Sequence, residues 1–220
     1  MRDLGPAFLL GVLAAAGQAP LGLWPLALAG YAGIVRHVAT RPEGAALRAW
    51  AAGLGHFGAA LSWIVQPFLV DPETYGWMAP FALLAMAGGL ALFWAVAGWI
   101  AAQVTRPAFG FALALAALEA LRGVVLTGFP WALPGHIWID LPVAQAAAWI
   151  GANGLTLLTL LMAALPVVLR LKGLILAALL LAGLWGGGLW RLSWPEPPAP
   201  GLVFRLVQPD AEQHRKRDPD

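Results

Sequence analysis

Glu119 and Arg122 are the residues of this sequence best suited to chemistry, because they place an acid and a base inside a segment apolar enough for a lipid bilayer. Their i, i+3 spacing puts both side chains on one face of a helix, within reach of an ion pair. Each charge costs roughly 2.5–3.5 kcal/mol at the bilayer centre on insertion scales, and pairing offsets part of that cost. The pair therefore marks either a functional interior or a structural lock between this helix and its neighbours.

A rigid aromatic turn, Gly128-Phe129-Pro130-Trp131, follows the pair within two helical turns. Proline disfavours helical geometry at the preceding residue, so we expect the helix to end at Phe129. Trp131 then falls at the membrane interface, where tryptophan is enriched. The turn is either part of a functional site or a helix stop combined with an interfacial aromatic belt.

The other candidate groups indicate no particular reaction. His56 suits a proton carrier, a pore residue or an imidazole hydrogen-bonded between helices. His136 and Asp140 are four residues apart, but two ligands in a Pro-rich context do not predict a metal site, and we expect neither metal nor cofactor. The sequence contains no cysteine, which excludes disulfides, Cys-ligated metals and a thiol nucleophile within these 220 residues.

Long apolar runs must position these residues. The chain is 60% hydrophobic and 11% charged, against about 25% charged in a soluble domain. A helix needs roughly 20 apolar residues to span a bilayer. We predict an all-α polytopic membrane helix bundle of about seven transmembrane helices, with an uncleaved first helix rather than a signal peptide. The runs are 4–35 (two short helices split by a turn at 18–22), 49–70, 76–105, 108–126, 141–169 and 173–190.

Basic residues predict the orientation of the bundle. With this count of spans, seven of them fall on one side, and the opposite loops 18–22, 66–76 and 127–142 contain no Lys or Arg. The positive-inside rule then places the N-terminus in the cytoplasm and the residues after Arg191 on the outer side. We interpret these short basic clusters as topology signals and expect no nucleic-acid partner. The seven are Arg2, Arg36, Arg41, Arg48, Arg106, Arg170 and Lys172.

The composition changes after residue 192. We assign 1–192 to a transmembrane helical domain, 193–200 to a Pro-rich linker, and 201–220 to the beginning of a second, incomplete domain on the outer side. Residues 201–209 read as a short strand rich in branched side chains. One strand cannot form a domain. Either the strand adds to a partner, or the chain is the front part of a longer protein, and we favour the second interpretation.

Three stretches, in order, resemble the bacterial apolipoprotein N-acyltransferases. LEALRGVVLTGFPWALPGH at 118–136 resembles the family signature, roughly E-x-L-R-G followed by T-G-F-P-W. Residues 18–25 resemble the first outer turn of the family. Residues 206–210, LVQPD, resemble the opening of its nitrilase-like domain.

The resemblance implies an enzyme of the inner membrane with a periplasmic C-terminal segment, which acts in lipoprotein maturation. Its substrates would be a phospholipid acyl donor and a diacylglyceryl apolipoprotein. The acyl chain would move from the phospholipid, by way of a Cys thioester, to the N-terminal diacylglyceryl-cysteine of the apolipoprotein. The resemblance implies that the catalytic Glu, Lys and Cys lie downstream of Asp220, that this chain alone is inactive, and that the protein is a monomer.

The resemblance also assigns a membrane-side floor beneath the active site. Arg122 would tether its helix or meet a lipid phosphate, and Phe129 and Trp131 would line the acyl entrance. Arg217 stands where many relatives have an aromatic residue, which weakens that local substrate contact. Two alternatives remain, a non-catalytic scaffold or lipid-binding remnant, and a transporter using His56 with the charged pair. The implied site residues are Glu119, Arg122, Gly128, Phe129, Pro130, Trp131 and Gln208.

Overall fold

The computed structural model of the chain describes residues 3–195 together with the isolated residues 201, 205 and 207. Every regular element among the described residues is helical. The strand predicted at 201–209 therefore falls mostly outside the described residues, and the three that are described have no regular secondary structure. Gln208 also lies outside them.

The first three helices confirm the split of the first apolar run and correct the third span. Helix α1 (Leu4–Ala15) and α2 (Trp24–Ala39) are joined by a turn, as predicted. Helix α3 (Ala45–Ala60) ends well before residue 70 and is followed by a 3₁₀ segment, Ser62–Leu69. Pro67 lies inside this segment, and a proline in an α-helix clashes with the carbonyl four residues earlier. The prediction of one continuous span to residue 70 was wrong.

The next elements lead to the candidate site. A one-turn α4 (Pro72–Tyr75) and a 3₁₀ turn (Gly76–Met78) precede α5 (Ala79–Ala101). Helix α6 (Pro107–Arg122) begins with a proline at a first-turn position, where the missing N–H is not needed.

Helix α6 ends at Arg122, earlier than the predicted end at residue 126 or Phe129. The N–H of Phe129 donates to the carbonyl of Arg122 at 3.1 Å, so the chain folds back over the helix end and satisfies one of its carbonyls. The early end is therefore produced by the returning loop as well as by Pro130.

The long segment α7 (Ala147–Leu192) is a hairpin of two helical arms. Its backbone departs from helical geometry at two residues, at Gly151 near its start, with φ 66° and ψ 176°, and at Arg170, with φ 54° and ψ −127°. The chain reverses at Arg170. Gly173 packs so closely against Leu165 that a Cβ on it would lie 2.0 Å from the Leu165 carbonyl oxygen. We call residues 147–169 the first arm and 171–192 the second arm. The predicted separation of the sixth and seventh spans at 170–172 is confirmed.

Within the described residues, the chain makes seven helical passages between two ends, through α1, α2, α3, α5, α6 and the two arms. We call one end the basic end, formed by 36–48, 101–107 and 166–172. The opposite end, formed by 16–23, 61–78 and 123–146, is the loop end. Connections between helices alternate between them, so α6 starts at the basic end and finishes at the loop end.

The helices pack closely and present apolar side chains outward. A Cβ on Gly55 would lie 2.2 Å from the carbonyl oxygen of Phe8, so small residues let α1 and α3 approach, as in membrane bundles. Large apolar side chains such as Trp77, Phe81 and Leu179 are more than 60% exposed. Two segments are long and apolar enough to cross a membrane, Pro72–Ala101 and Pro142–Leu192, and α1 is a shorter apolar helix.

Candidate functional site

The Glu119–Arg122 pair lies at the end of α6 and is enclosed by protein. Glu119 is fully buried and Arg122 is 2% exposed. A terminal guanidinium nitrogen of Arg122 donates to Oε2 of Glu119, as the spacing predicted. The indole N–H of Trp94 in α5 donates to Oε1 of Glu119 at 2.8 Å. Both carboxylate oxygens therefore have a donor, which offsets the cost of burying the charge.

Arg122 also binds the loop that follows its own helix. Its guanidinium donates to the carbonyl of Phe129 and, at 2.9 Å, to the carbonyl of Trp131. The guanidinium carbon lies 5.0 Å from the ring centroid of Phe57 in α3, a cation–π distance. All of these contacts are with protein, so the geometry fits a tether better than a contact with a lipid phosphate.

Two further buried side chains hold the same loop. Nε2 of His56 is 2.9 Å from the carbonyl oxygen of Ala132, which can only accept, so this nitrogen is the donor. The amide of Gln18, in the turn between α1 and α2, donates to the carbonyl of Leu133 at 3.0 Å. We call residues 128–133 the anchored loop, because side chains from three separate elements bind its carbonyls.

The anchored loop needs these bonds because its backbone is strained. Gly128 has φ 82°, and a Cβ there would lie 2.3 Å from the carbonyl oxygen of Gly123. Ala132 within the loop and Thr127 immediately before it also have positive φ, at 56° and 75°. Residues with side chains rarely adopt this geometry, and it persists only where the surroundings enforce it.

The outer surface of the anchored loop is aromatic. Trp131 is 55% exposed and lies 5.5 Å from Trp63, measured between ring centroids. Pro130 is exposed, whereas Phe129 is half-buried and packs on the core. Trp63 also lines a cavity of about 300 Å³ together with residues from the end of α1, the α1–α2 turn and the end of α3. This surface and cavity offer an apolar chain a place at the loop end.

The rest of the loop is fixed to the first arm of α7. The indole N–H of Trp138 donates to Oγ1 of Thr159 at 2.8 Å, and Oγ1 of Thr156 accepts from the N–H of Gly135 at 3.1 Å. His136 lies between Gly135 and Trp138 in the sequence. Partial burial, together with the positive charge of Arg122, lowers the pKa of its imidazole. Burial disfavours the charged form of histidine.

The arrangement can position a substrate but does not contain a reacting group of the thioester type. Glu119 and Arg122 are engaged with each other and with neighbouring protein groups, and the sequence contains no cysteine. The site is therefore a rigid support that carries an exposed aromatic surface.

The structure brings most of the predicted site residues together. Glu119, Arg122, Phe129 and Trp131 are joined by direct hydrogen bonds, and Gly128 makes the turn that allows them. Pro130 lies beside them at the surface, and Gln208 is outside the described residues. Their functional roles remain predictions.

Three further residues support the site, and sequence reasoning named His56 as a candidate but missed the contacts of Gln18 and Trp94. Gln18 and His56 are isolated polar residues within apolar runs, and that isolation was a usable signal. We expected His56 to bond between helices if structural, whereas it bonds the loop. Trp94 is one of 12 tryptophans, and nothing in the sequence distinguishes the one that contacts Glu119.

Comparison with known sequences places the chain in a family. The profile of the apolipoprotein N-acyltransferase N-terminal domain matches residues 10–165. The chain is 44% identical to the apolipoprotein N-acyltransferase of Caulobacter vibrioides over 97% of its own length and 43% of that protein.

Two other relatives named apolipoprotein N-acyltransferase show the same partial coverage. The chain is 35% identical to that of Allorhizobium ampelinum, over 77% of this chain and 34% of the relative. It is 32% identical to that of Sinorhizobium fredii, over 96% of this chain and 44% of the relative. The chain thus spans less than half the length of the curated relatives it matches, and their N-terminal domain is the part it resembles. This chain belongs to the apolipoprotein N-acyltransferase family.

Proposed function

We propose that this chain is the membrane portion of an apolipoprotein N-acyltransferase. All seven passages would cross the bacterial inner membrane, with the basic end in the cytoplasm and the loop end facing the periplasm. The positive-inside rule supports this orientation, because Arg36, Arg41, Arg106, Arg170 and Lys172 lie at one end of the bundle. The linker at 193–200 would then lead into the periplasm.

The proposed reaction of the whole protein is acyl transfer in two steps. A Cys thiolate attacks the ester carbonyl of a phospholipid, forming a thioester and releasing a lysophospholipid. The α-amino group of the diacylglyceryl-cysteine then attacks the thioester, forming an amide and regenerating the thiol. The Glu, Lys and Cys for this chemistry would come from the part of the relatives that this chain does not match, and no cofactor is proposed.

The anchored loop would form the floor on which the phospholipid approaches. The observation that carries this role is the exposed Trp131, held by the bond from buried Arg122 to its carbonyl and lying beside Trp63 and the neighbouring cavity. A rigid support keeps a reacting group in position, which contributes to catalysis through orientation. Phe129 and Trp131 would guide the acyl chain.

A chimera tests this function. Residues 1–192 of this chain would be joined, at the linker, to the remaining part of the Caulobacter vibrioides relative. Acyl transfer from phospholipid to a synthetic diacylglyceryl lipopeptide would be measured in proteoliposomes, with that relative as the positive control. We expect the chimera to be active, and Trp131→Ala to lower kcat/KM roughly tenfold, the effect of losing about 1.4 kcal/mol of transition-state binding.

The matched control is Trp77→Ala, which removes a tryptophan of the loop end that is 67% exposed, against 55% for Trp131, and that has no contact with Trp131 or Trp63 among the described aromatic pairs. We expect this variant to retain activity. A chimera that inserts and folds but transfers no acyl group, while the relative does, would contradict the proposal and favour a non-catalytic scaffold or lipid-binding protein.

A further inference from the structure

A second open site lies at the basic end, far from the anchored loop. A cavity of about 770 Å³ opens between the end of α2, the α5–α6 turn and the end of the first arm of α7. Arg36, Arg106 and Arg170 line it, one from each of these elements, and Thr40 and Thr105 add hydroxyl groups. Three cations supplied by separate parts of the chain thus surround one space.

These arginines have no acidic partner within the described part of the chain. The ion pairs found there are Glu119–Arg122 and Asp3–Arg41, and neither involves the cavity. Arg170 also holds positive φ although it is not glycine, and it is the residue at which the hairpin reverses. Such geometry is uncommon and often marks a functional position.

An apolar groove continues from the cavity toward the middle of the bundle. It has a volume of about 330 Å³ and is lined only by apolar residues of α2 and the two arms of α7. Pro166 lines both the groove and the cavity. On α2, Leu28, Ala32 and Arg36 follow at four-residue intervals and so occupy one helix face, apolar first and basic last.

We propose that the basic end binds one anionic phospholipid of the cytoplasmic leaflet. Its phosphate would sit among Arg36, Arg106 and Arg170, and an acyl chain would occupy the groove beyond Pro166. The guanidinium group suits phosphate because it presents several donors in a plane. A free phosphate would use the cavity but not the groove, so the pairing of the two favours a lipid.

This lipid is not the acyl donor of the proposed reaction. Arg106 and Arg122 stand at opposite ends of α6, and 16 residues of helix rise about 24 Å. The two sites therefore face opposite leaflets. The lipid at the basic end would bridge α2, α6 and the hairpin, which fixes the reversal at Arg170 without taking part in catalysis.

The test compares lipid retention by the full chain purified in a neutral detergent. Native mass spectrometry would measure binding of added phosphatidylglycerol and of phosphatidylcholine, and inorganic phosphate would be the probe without acyl chains. The variant Arg36→Gln/Arg106→Gln removes two lining charges. The control Arg41→Gln/Lys172→Gln removes the same charge from the same end, at positions that do not line the cavity.

We expect phosphatidylglycerol to bind more tightly than phosphatidylcholine. In the Arg36/Arg106 variant, the affinity for phosphatidylglycerol should fall about tenfold or more. The control pair should change the affinity for phosphatidylglycerol by no more than about twofold, since screened surface charges contribute little. Equal loss in both pairs, or no preference for phosphatidylglycerol in the wild-type chain, would overturn the proposal.

A second variant tests the groove without touching the arginines. Ala178 is exposed on the second arm and lines the groove, so Ala178→Phe fills it, and Ala85→Phe on the exposed face of α5 is the control. We expect only Ala178→Phe to weaken the binding of phosphatidylglycerol, while both variants bind phosphate at the wild-type level. Equal phosphatidylglycerol binding by the two variants would show a phosphate site alone and overturn the lipid assignment.

Discussion

Buried and exposed arginines have opposite uses in this bundle, and Arg122 at the loop end contrasts with three arginines of the basic end. At the loop end, Arg122 is 2% exposed and donates to a carboxylate and two carbonyls. Its guanidinium group therefore holds the anchored loop in place. At the basic end, Arg36, Arg106 and Arg170 are exposed around a cavity. The same side chain therefore acts as a fixed structural part where it is buried, as Arg48 also is at the basic end, and as an open cationic surface where it is exposed. Burial and available partners decide which role it takes.

The largest expected effect comes from removing the buried arginine. Arg122→Ala should lower the free energy of unfolding by about 3–5 kcal/mol, because it leaves Glu119 charged and unpaired in the interior. Arg106 is exposed and immediately precedes the same helix, and Arg106→Ala should change this free energy by no more than about 0.5 kcal/mol. Unfolding of both variants in mixed micelles with increasing sodium dodecyl sulfate would measure the difference. Similar losses of unfolding free energy in the two variants would contradict the distinction between the buried and the exposed arginine.

Glycine offers a comparison of the backbone at the two ends. Gly128 at the loop end and Gly44 at the basic end both have positive φ, at 82° and 75°. A Cβ on Gly128 would meet backbone at 2.3 Å, whereas one on Gly44 would meet only the guanidinium of Arg48, at 3.4 Å, which is an ordinary van der Waals distance.

Gly128→Ala should therefore cost about 3 kcal/mol, combining strain and clash, and Gly44→Ala about 1 kcal/mol, from strain alone. The same unfolding assay would rank the two variants, with wild type in each series. If Gly44→Ala proved the more destabilising, the anchored loop would be less tightly constrained than the hydrogen bonds indicate.

The smallest effect concerns one hydrogen bond at each end. Gln18 is 7% exposed and donates to the carbonyl of Leu133, which also accepts from the N–H of His136 at 2.9 Å. Gln18→Ala removes one of these two hydrogen bonds and should cost about 1 kcal/mol. Thr40 is exposed and donates to the carbonyl of His37, and Thr40→Ala should cost less than about 0.5 kcal/mol.

Hydrogen exchange would localise this difference. Amide protons of residues 128–136 should exchange faster in Gln18→Ala and remain protected in Thr40→Ala, because only the first variant loosens the anchored loop. Unchanged exchange in both variants would mean that Arg122 and His56 hold the loop without help from Gln18.

The sequence was a good guide to features that depend on neighbouring residues. Apolar runs, prolines and basic clusters identified the turn between α1 and α2, the break at Arg170 and the grouping of basic residues at one end. The i, i+3 spacing of Glu119 and Arg122 correctly implied an ion pair. Each of these follows from helix geometry within a single segment.

The sequence was a poor guide to partners that are distant along the chain. Periodicity tells which face of a helix is buried, but not that Gln18 meets Leu133 or that Trp94 meets Glu119. The end of α6 at Arg122 was missed for the same reason, because the N–H that caps it comes from the returning loop. Roles of the site residues in acyl transfer remain predictions.

The closed base of the α7 hairpin determines where the chain leaves the bundle. Arg191 donates to the side chain of Gln145 and lies 5.5 Å from the ring centroid of Trp149, and a Cβ on Gly188 would lie 1.9 Å from the Pro142 carbonyl oxygen. Each residue turns a helix by about 100°. Inserting or deleting one residue in the second arm would rotate Gly188 and Arg191 away from these partners and change the direction in which the chain leaves the bundle. The second arm must therefore keep its register as far as Leu192 for the chain to leave the bundle at this place.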